Sequence, residues 1–213
     1  METITGTHSK LADRYAIDVL GIPSLELMEN ASRHVAEYIR RELRGKKILV
    51  ACGTGNNGAD GVCIARLIRD EFEVSLVIAG DLKKASWEFL YQLSEYKRIG
   101  GSISFFEDLQ QLPQADVLVD AIFGIGLKGR LRPDAEAVLA KVDSMNYPHV
   151  VAVDVPSGID SDTGDSTGVI IPADVTITFG RNKTGLTEDK AGKVMVCDIG
   201  IPDEAYIRAG EML

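Results

Sequence analysis

Lys47-Ile48-Leu49-Val50-Ala51-Cys52-Gly53-Thr54-Gly55-Asn56-Asn57-Gly58-Ala59-Asp60-Gly61 joins a short apolar run to a glycine-rich turn. Such a run suits a parallel strand buried on both faces, and Val62, Ala65 and Ile68 then supply the apolar stripe of a following helix. The alternation repeats in both directions. Leu25, Met28, Ala31, Val35 and Ile39 recur at three- and four-residue intervals and predict a helix over 24–43, closed by Gly45. Strands are predicted at 73–79, 103–106, 116–121, 150–154, 175–179 and 193–197, with helices at 86–97 and 134–145. Repeated βα units imply an α/β fold: a Rossmann-like open, mostly parallel sheet with helices on both faces and extra N-terminal helices. No repeat or linker divides residues 1–213, so a single domain is expected.

The 213 residues are 45% hydrophobic, and 23 Lys+Arg against 32 Asp+Glu give a net charge of −9. That content supports a continuous core without disulfides. The charge argues against nucleic acid as partner, because no cation excess exists to displace phosphate counterions. It leaves open how an anionic ligand would be held. The first eleven residues are polar and no apolar run approaches a membrane span, so a cytoplasmic protein with no membrane partner is expected. Cys52, Cys63 and Cys197 read as reduced core thiols, and His8, His34 and His149 show no metal-ligand spacing.

In an open α/β sheet the ligand crevice lies beyond the carboxyl ends of the strands. Three such ends are unusual. Gly53-Thr54-Gly55-Asn56-Asn57-Gly58-Ala59-Asp60-Gly61 has glycines at dinucleotide-turn spacing plus three polar side chains that packing alone would not need. Val119-Asp120-Ala121-Ile122-Phe123-Gly124 delivers a buried-strand carboxylate, followed by a glycine-rich loop to Arg130. Ala152-Val153-Asp154-Val155-Pro156-Ser157-Gly158-Ile159-Asp160 does the same, with a hydroxyl three residues after the acid. The loop Asp160 to Asp165 superficially follows a calcium pattern, but its twelfth position is Ile171 rather than Glu, so its acids read as solvated turn formers. A helix beginning after Gly58, together with Lys128, Arg130 and Arg132, would offer local positive charge to a phosphate.

These segments, with Met28-Glu29-Asn30-Ala31 and Asp198-Ile199-Gly200-Ile201-Pro202, resemble the YjeF N-terminal domain family, the NAD(P)HX epimerases, over the whole chain. The resemblance implies an isomerase that interconverts the R and S epimers of hydrated NADH or NADPH, a cofactor-repair step that precedes dehydration. It implies that the substrate lies against Asn56, Asn57, Gly58, Ala59 and Asp60, against Gly124, Ile125, Gly126, Leu127, Lys128, Gly129 and Arg130, and against Asp154. It further implies a potassium ion (K+) on Asn57, Asp120 and Ser157, an NAD(P)HX dehydratase as functional partner or fused domain, and a homodimer. The family usually has glycine where Ala59 stands. Ala59 is tolerable if it is already helical with its methyl turned away.

Epimerisation at C6 needs no hydride acceptor. It needs the hydroxyl to leave and return, or the ring to open, with the resulting cation stabilised by a carboxylate. Asp120 or Asp154 is expected in that role. Tyr15, Ile17 and Val19 serve either a dimer interface or the core. Two other classes fit less well. A nicotinamide-dependent oxidoreductase would use Asp81 on the ribose, but no tyrosine is followed four residues later by lysine. A non-catalytic nucleotide-binding module would not need polar groups at all three strand ends. A P-loop nucleotidase is excluded, since no Gly-x-x-x-x-Gly-Lys-Ser/Thr occurs.

Overall fold

The computed structural model describes residues 3–213. Met1 and Glu2, part of the polar N-terminal stretch, lie outside the described residues. The chain runs β1 (Thr3–Ile4), α1 (Gly6–Asp18), α2 (Ser24–Glu42), β2 (Lys47–Cys52), α3 (Asn56–Ile68), β3 (Glu73–Ile78), α4 (Trp87–Arg98), β4 (Ile103–Phe105) and β5 (Val117–Ala121). It continues through α5 (Pro133–Asp143), β6 (His149–Val153), β7 (Val175–Phe179), β8 (Asn182–Lys183), α6 (Glu188–Ala191), β9 (Lys193–Cys197) and α7 (Asp203–Gly210). Seven strands form one sheet in the order β4-β3-β2-β5-β6-β7-β9, and every pairing is parallel.

Alternation along each strand sorts the core into two layers. Ile48, Val50 and Cys52 face one side with Val117, Val119 and Ala121, where they meet α2 and α3 through Val35, Ile39, Val62 and Ile68. Leu49, Ala51 and Leu118 face the other, under Leu139 and Val142 of α5. Asp120, two residues after Leu118, therefore points to the α5 side. Burial pushes the Cys63 thiol up to about 12 and the Cys52 thiol well above its ordinary range, consistent with inert core thiols. His8 and His34 bond backbone carbonyls of Tyr206 and Asp198, both at 2.8 Å. Tyr15 and Ile17 pack against the core, whereas Val19 is 62% exposed. No helix among the described residues is long and apolar enough to cross a membrane.

Strand order reverses between β2 and β5, so the crevice opens where their following turns diverge. The helix after the glycine turn begins at Asn56, with Gly55 as its N-cap, not after Gly58. Gly58 thus lies inside its first turn. Its Hα side is pressed against the preceding loop so closely that an added Cβ would stand 1.9 Å from the Gly53 carbonyl oxygen. Backbone cannot yield as a flexible side chain can. Gly58→Ala is expected to cost about 1–3 kcal/mol, lowering the thermal midpoint by roughly 3–10 °C; an unchanged midpoint in calorimetry would contradict this packing.

Candidate active site

A cleft of about 880 Å³ opens over the β2/β5 divergence. That is within the range of small-molecule sites, roughly 300–1,000 Å³. Its apolar wall includes Ile17 of α1 with Leu27, Met28 and Ala31 of α2. Its polar wall holds Asn56, Asn57 and Asp60 from α3, and the turn after β5 supplies Ile122 to Leu127. Asp13, Asp154 and Lys183 also line it, while Asp81, Lys84 and Arg132 contribute further charge.

Asp154 is held in an unusual way. It adopts φ +64°, one of two non-glycine residues with positive φ among those described. Such strain in a non-glycine residue costs on the order of 1 kcal/mol and persists where surroundings enforce it. Here they do: Oδ1 accepts from Lys183 Nζ at 2.6 Å, from Thr178 Oγ1 at 2.9 Å and from the Phe179 amide at 3.3 Å. Among the described residues no hydrogen bond reaches Oδ2. The carboxylate therefore has one anchored oxygen and one available oxygen.

Two more carboxyls share this lobe. Burial, reinforced by Asp154 and opposed by Lys183, raises Asp13 to about 6. Burial, then the nearby Asp154, Asp13 and Glu88, pushes Asp60 well above the ordinary carboxyl range. The lobe thus combines an ion-paired carboxylate with carboxyls that favour their protons, the kind of split that separates acid from base.

Asp120 is arranged differently. It is fully buried, does not line the cleft, and accepts from the Ser157 amide at 2.7 Å and the Ser157 hydroxyl at 2.6 Å. Burial raises its carboxyl to about 6. No cationic side chain among the described residues pairs with it. Asn57, against Gly124, has a buried amide nitrogen without a partner. Turning that amide over would present its oxygen instead, and amide orientation is set by such partners. An amide oxygen, a carboxylate and a hydroxyl are the oxygen donors a hard cation takes. These three residues could hold a potassium ion.

Of the expected substrate contacts, Asn56, Asn57, Asp60, Gly124, Ile125, Gly126, Leu127 and Asp154 line the cleft. Gly58, Ala59, Lys128, Gly129 and Arg130 do not. Ala59 is helical and fully buried, its methyl in the core, so a Cβ there does not crowd the cleft. Lys128 turns away to Asp160 and Asp162, at 3.3 and 2.6 Å. Asp160 does form a turn, accepting the Asp162 and Thr163 amides, but it and Asp162 are ion-paired as well as solvated; Asp162 also accepts from the Gly6 amide at the start of α1, at 2.6 Å. Of the three expected phosphate-facing cations only Arg132 lines the cleft, joined by Lys84. Asp81 lines it too, with Oδ1 accepting the Lys83 amide at 2.9 Å.

Asp13 and Lys183 were outside the sequence-derived site, although signals for both exist. Ser9, Ala12, Asp13 and Ala16 follow i, i+3, i+4, i+7 spacing, which puts an acid in the buried stripe of a helix. Lys183 follows the strand ending at Phe179, so the same strand-end rule applies to it.

The sequence profile of the family described as "YjeF-related protein N-terminus" matches residues 24–185. A Limosilactobacillus fermentum protein named NAD(P)H-hydrate epimerase is 40% identical, over 92% of this chain and 96% of that protein. A Weissella koreensis protein of the same name is 37% identical, over 97% and 95%. A Methanothermobacter thermautotrophicus protein named bifunctional NAD(P)H-hydrate repair enzyme is 36% identical, over 94% of this chain but 42% of that protein. The crystal structure of yeast ynu0 superposes with a TM-score of 0.84 at 22% identity, covering 99% of this chain and 94% of that one, and shows the same fold.

The raised Asp13 carboxyl has a signed consequence for stability. Between about 4 and 6 the folded chain binds the proton that the unfolded chain has released, so this group's contribution to stability falls as pH rises through that window. Asp13→Asn removes the effect. Its stability relative to the wild type should rise by on the order of 2 kcal/mol between pH 4 and pH 7 in denaturant titrations. Parallel pH profiles would contradict the burial assigned to Asp13.

Proposed function

The chain belongs to the YjeF-related protein N-terminus family, and from that membership we propose that it is an NAD(P)H-hydrate epimerase, an isomerase acting on both epimers of hydrated NADH and NADPH. The single observation that carries the reading is the carboxylate lobe, in which Asp154 presents a free oxygen beside Asp13 and Asp60. Loss of the C6 hydroxyl leaves a positive charge shared between C6 and the ring nitrogen. Preorganised carboxylates stabilise such a charge without reorganising as it forms.

The roles follow from each environment. Asp60, which favours its proton, donates to the departing hydroxyl. Asp154 faces the cation and takes a proton from the water that returns on the opposite ring face. Ring opening would instead break the bond between nitrogen and C6 to give an aldehyde, with one carboxyl taking the hydroxyl proton and another protonating the nitrogen, and it would keep the original oxygen on C6. Asp120, away from the cleft, is assigned to the ion site and not to proton transfer.

Asn57, Asp120 and Ser157 would hold potassium, a reading supported by the unpartnered Asn57 amide and by a buried carboxylate with no cationic side chain. Held there by residues from the start of α3 and the turns after β5 and β6, it would supply a fixed positive charge. The substrate pyrophosphate then finds the first-turn amides of α3 and the side chains of Lys84 and Arg132. A cytoplasmic location, a homodimer, and a dehydratase acting on the epimerised product complete the proposal. The bifunctional name of the longer archaeal relative supports the last of these.

The test is epimer exchange with separated R and S forms, followed chromatographically. Wild type should equilibrate them, faster in potassium than in choline buffer, and Asp154→Asn should be slower by about 100-fold or more. Exchange no faster than the uncatalysed rate would overturn the assignment.

A further inference from the structure

We propose that Lys183 is a positioning residue for epimerisation: its ammonium clamps one oxygen of Asp154 and leaves the other aimed at the nicotinamide ring. The inference rests on the epimerase reading above. Lysine is almost never fully buried unless paired, and Lys183 is 1% exposed. Its three protons have three acceptors: Asp154 Oδ1 at 2.6 Å, Thr178 Oγ1 at 3.0 Å and the Phe179 carbonyl at 2.8 Å. No proton remains for the substrate. Lys183 therefore acts through Asp154 and not on the ring.

The arrangement is a closed triangle. Thr178 accepts from Lys183 and donates its own hydrogen to the same Asp154 oxygen. The triangle fixes the rotation of the carboxylate, so Oδ2 keeps one direction. The segment that delivers Lys183 is held in turn by the other end of the chain. β8 pairs with β1, matching Ile4 to Lys183, and the Thr184 amide donates to the Ile4 carbonyl at 3.0 Å.

Charge makes the same point. The titratable groups around the pair are Asp13 from α1, Asp60 from α3 and Tyr206 from α7, with Glu88 of α4 beside Asp60. Lys183 is the one ammonium that contacts this group of carboxyls among the described residues. Without it, Oδ1 of Asp154 would keep only the Thr178 hydroxyl and the Phe179 amide, and no ammonium would offset the surrounding carboxyls. A residue serving only to fill space would not require this: a buried ion pair is commonly no more stable than an apolar pair of similar volume.

The experiment measures kcat and KM for epimer exchange in the full chain. Lys183→Met should lower kcat about 100-fold with KM within about threefold, because the substitution removes an interaction that is expressed in the transition state. Thr178→Val keeps the ammonium and removes the hydroxyl that completes the triangle, and should lower kcat about tenfold with KM unchanged. A folded Lys183→Met chain with kcat within threefold of wild type, or with its whole loss in KM, would overturn the proposal. If Lys183→Met does not fold, Thr178→Val decides, and an unaltered kcat there overturns it. Wild type without exchange removes the epimerase reading itself; an active wild type matched by active variants removes only the role of Lys183.

Discussion

Two turns at the carboxyl edge of the sheet meet backbone to backbone, and the site exists because nothing stands between them. A Cβ on Gly53 would lie 2.2 Å from the Ile122 carbonyl oxygen. The Gly53 amide donates to the Ala121 carbonyl at 3.1 Å, tying the end of β2 to the end of β5. This contact seats α3 directly over the crevice, brings Asn57 against Gly124 and aims Asp60 into the lobe that Asp154 enters from β6. The close approach is thus first a packing constraint. Gly53 and Gly58 are needed by protein touching protein, whereas Gly55, with no atom within 4 Å of its virtual Cβ, leaves space for a ligand.

The sheet was legible in the sequence because parallel strands buried on both faces are written as short, continuous apolar runs, and Leu49, Leu118 and Val151 have no polar neighbours to blur them. The three strand-end turns were legible for a related reason: an acid or amide at the end of such a run has no packing role to explain it. Helix beginnings were harder. Asn56 and Asn57 look like turn residues, yet they occupy the first turn of α3, where unpaired amides and polar side chains are compatible. Lys128 and Arg130 misled by their charge. The sequence shows two cations after glycines, but not that Asp160 and Asp162 lie across the loop to draw Lys128 away. Asp13 and Lys183 leave local signals in helical spacing and at a strand end, but that the two join one site depends on contacts between the two ends of the chain, which those signals do not encode.

The net charge of −9 acquires a different meaning from the placement of its acids. Asp13, Asp60 and Asp154 gather in one lobe of the cleft, while Lys84 and Arg132 line it together with Asp81, Glu107 and Asp134. The Lys183 ammonium is buried together with the Asp154 carboxylate, so neither charge stands alone.

The lobe is proposed to stabilise a cation formed by departure of the C6 hydroxyl. The most direct measurement is epimer exchange of hydrated NADH in oxygen-18 water, with the recovered epimers analysed by mass spectrometry. Each conversion is expected to place solvent oxygen on C6, so that label appears at the rate of epimerisation. Complete equilibration of the epimers with the original oxygen retained would contradict it.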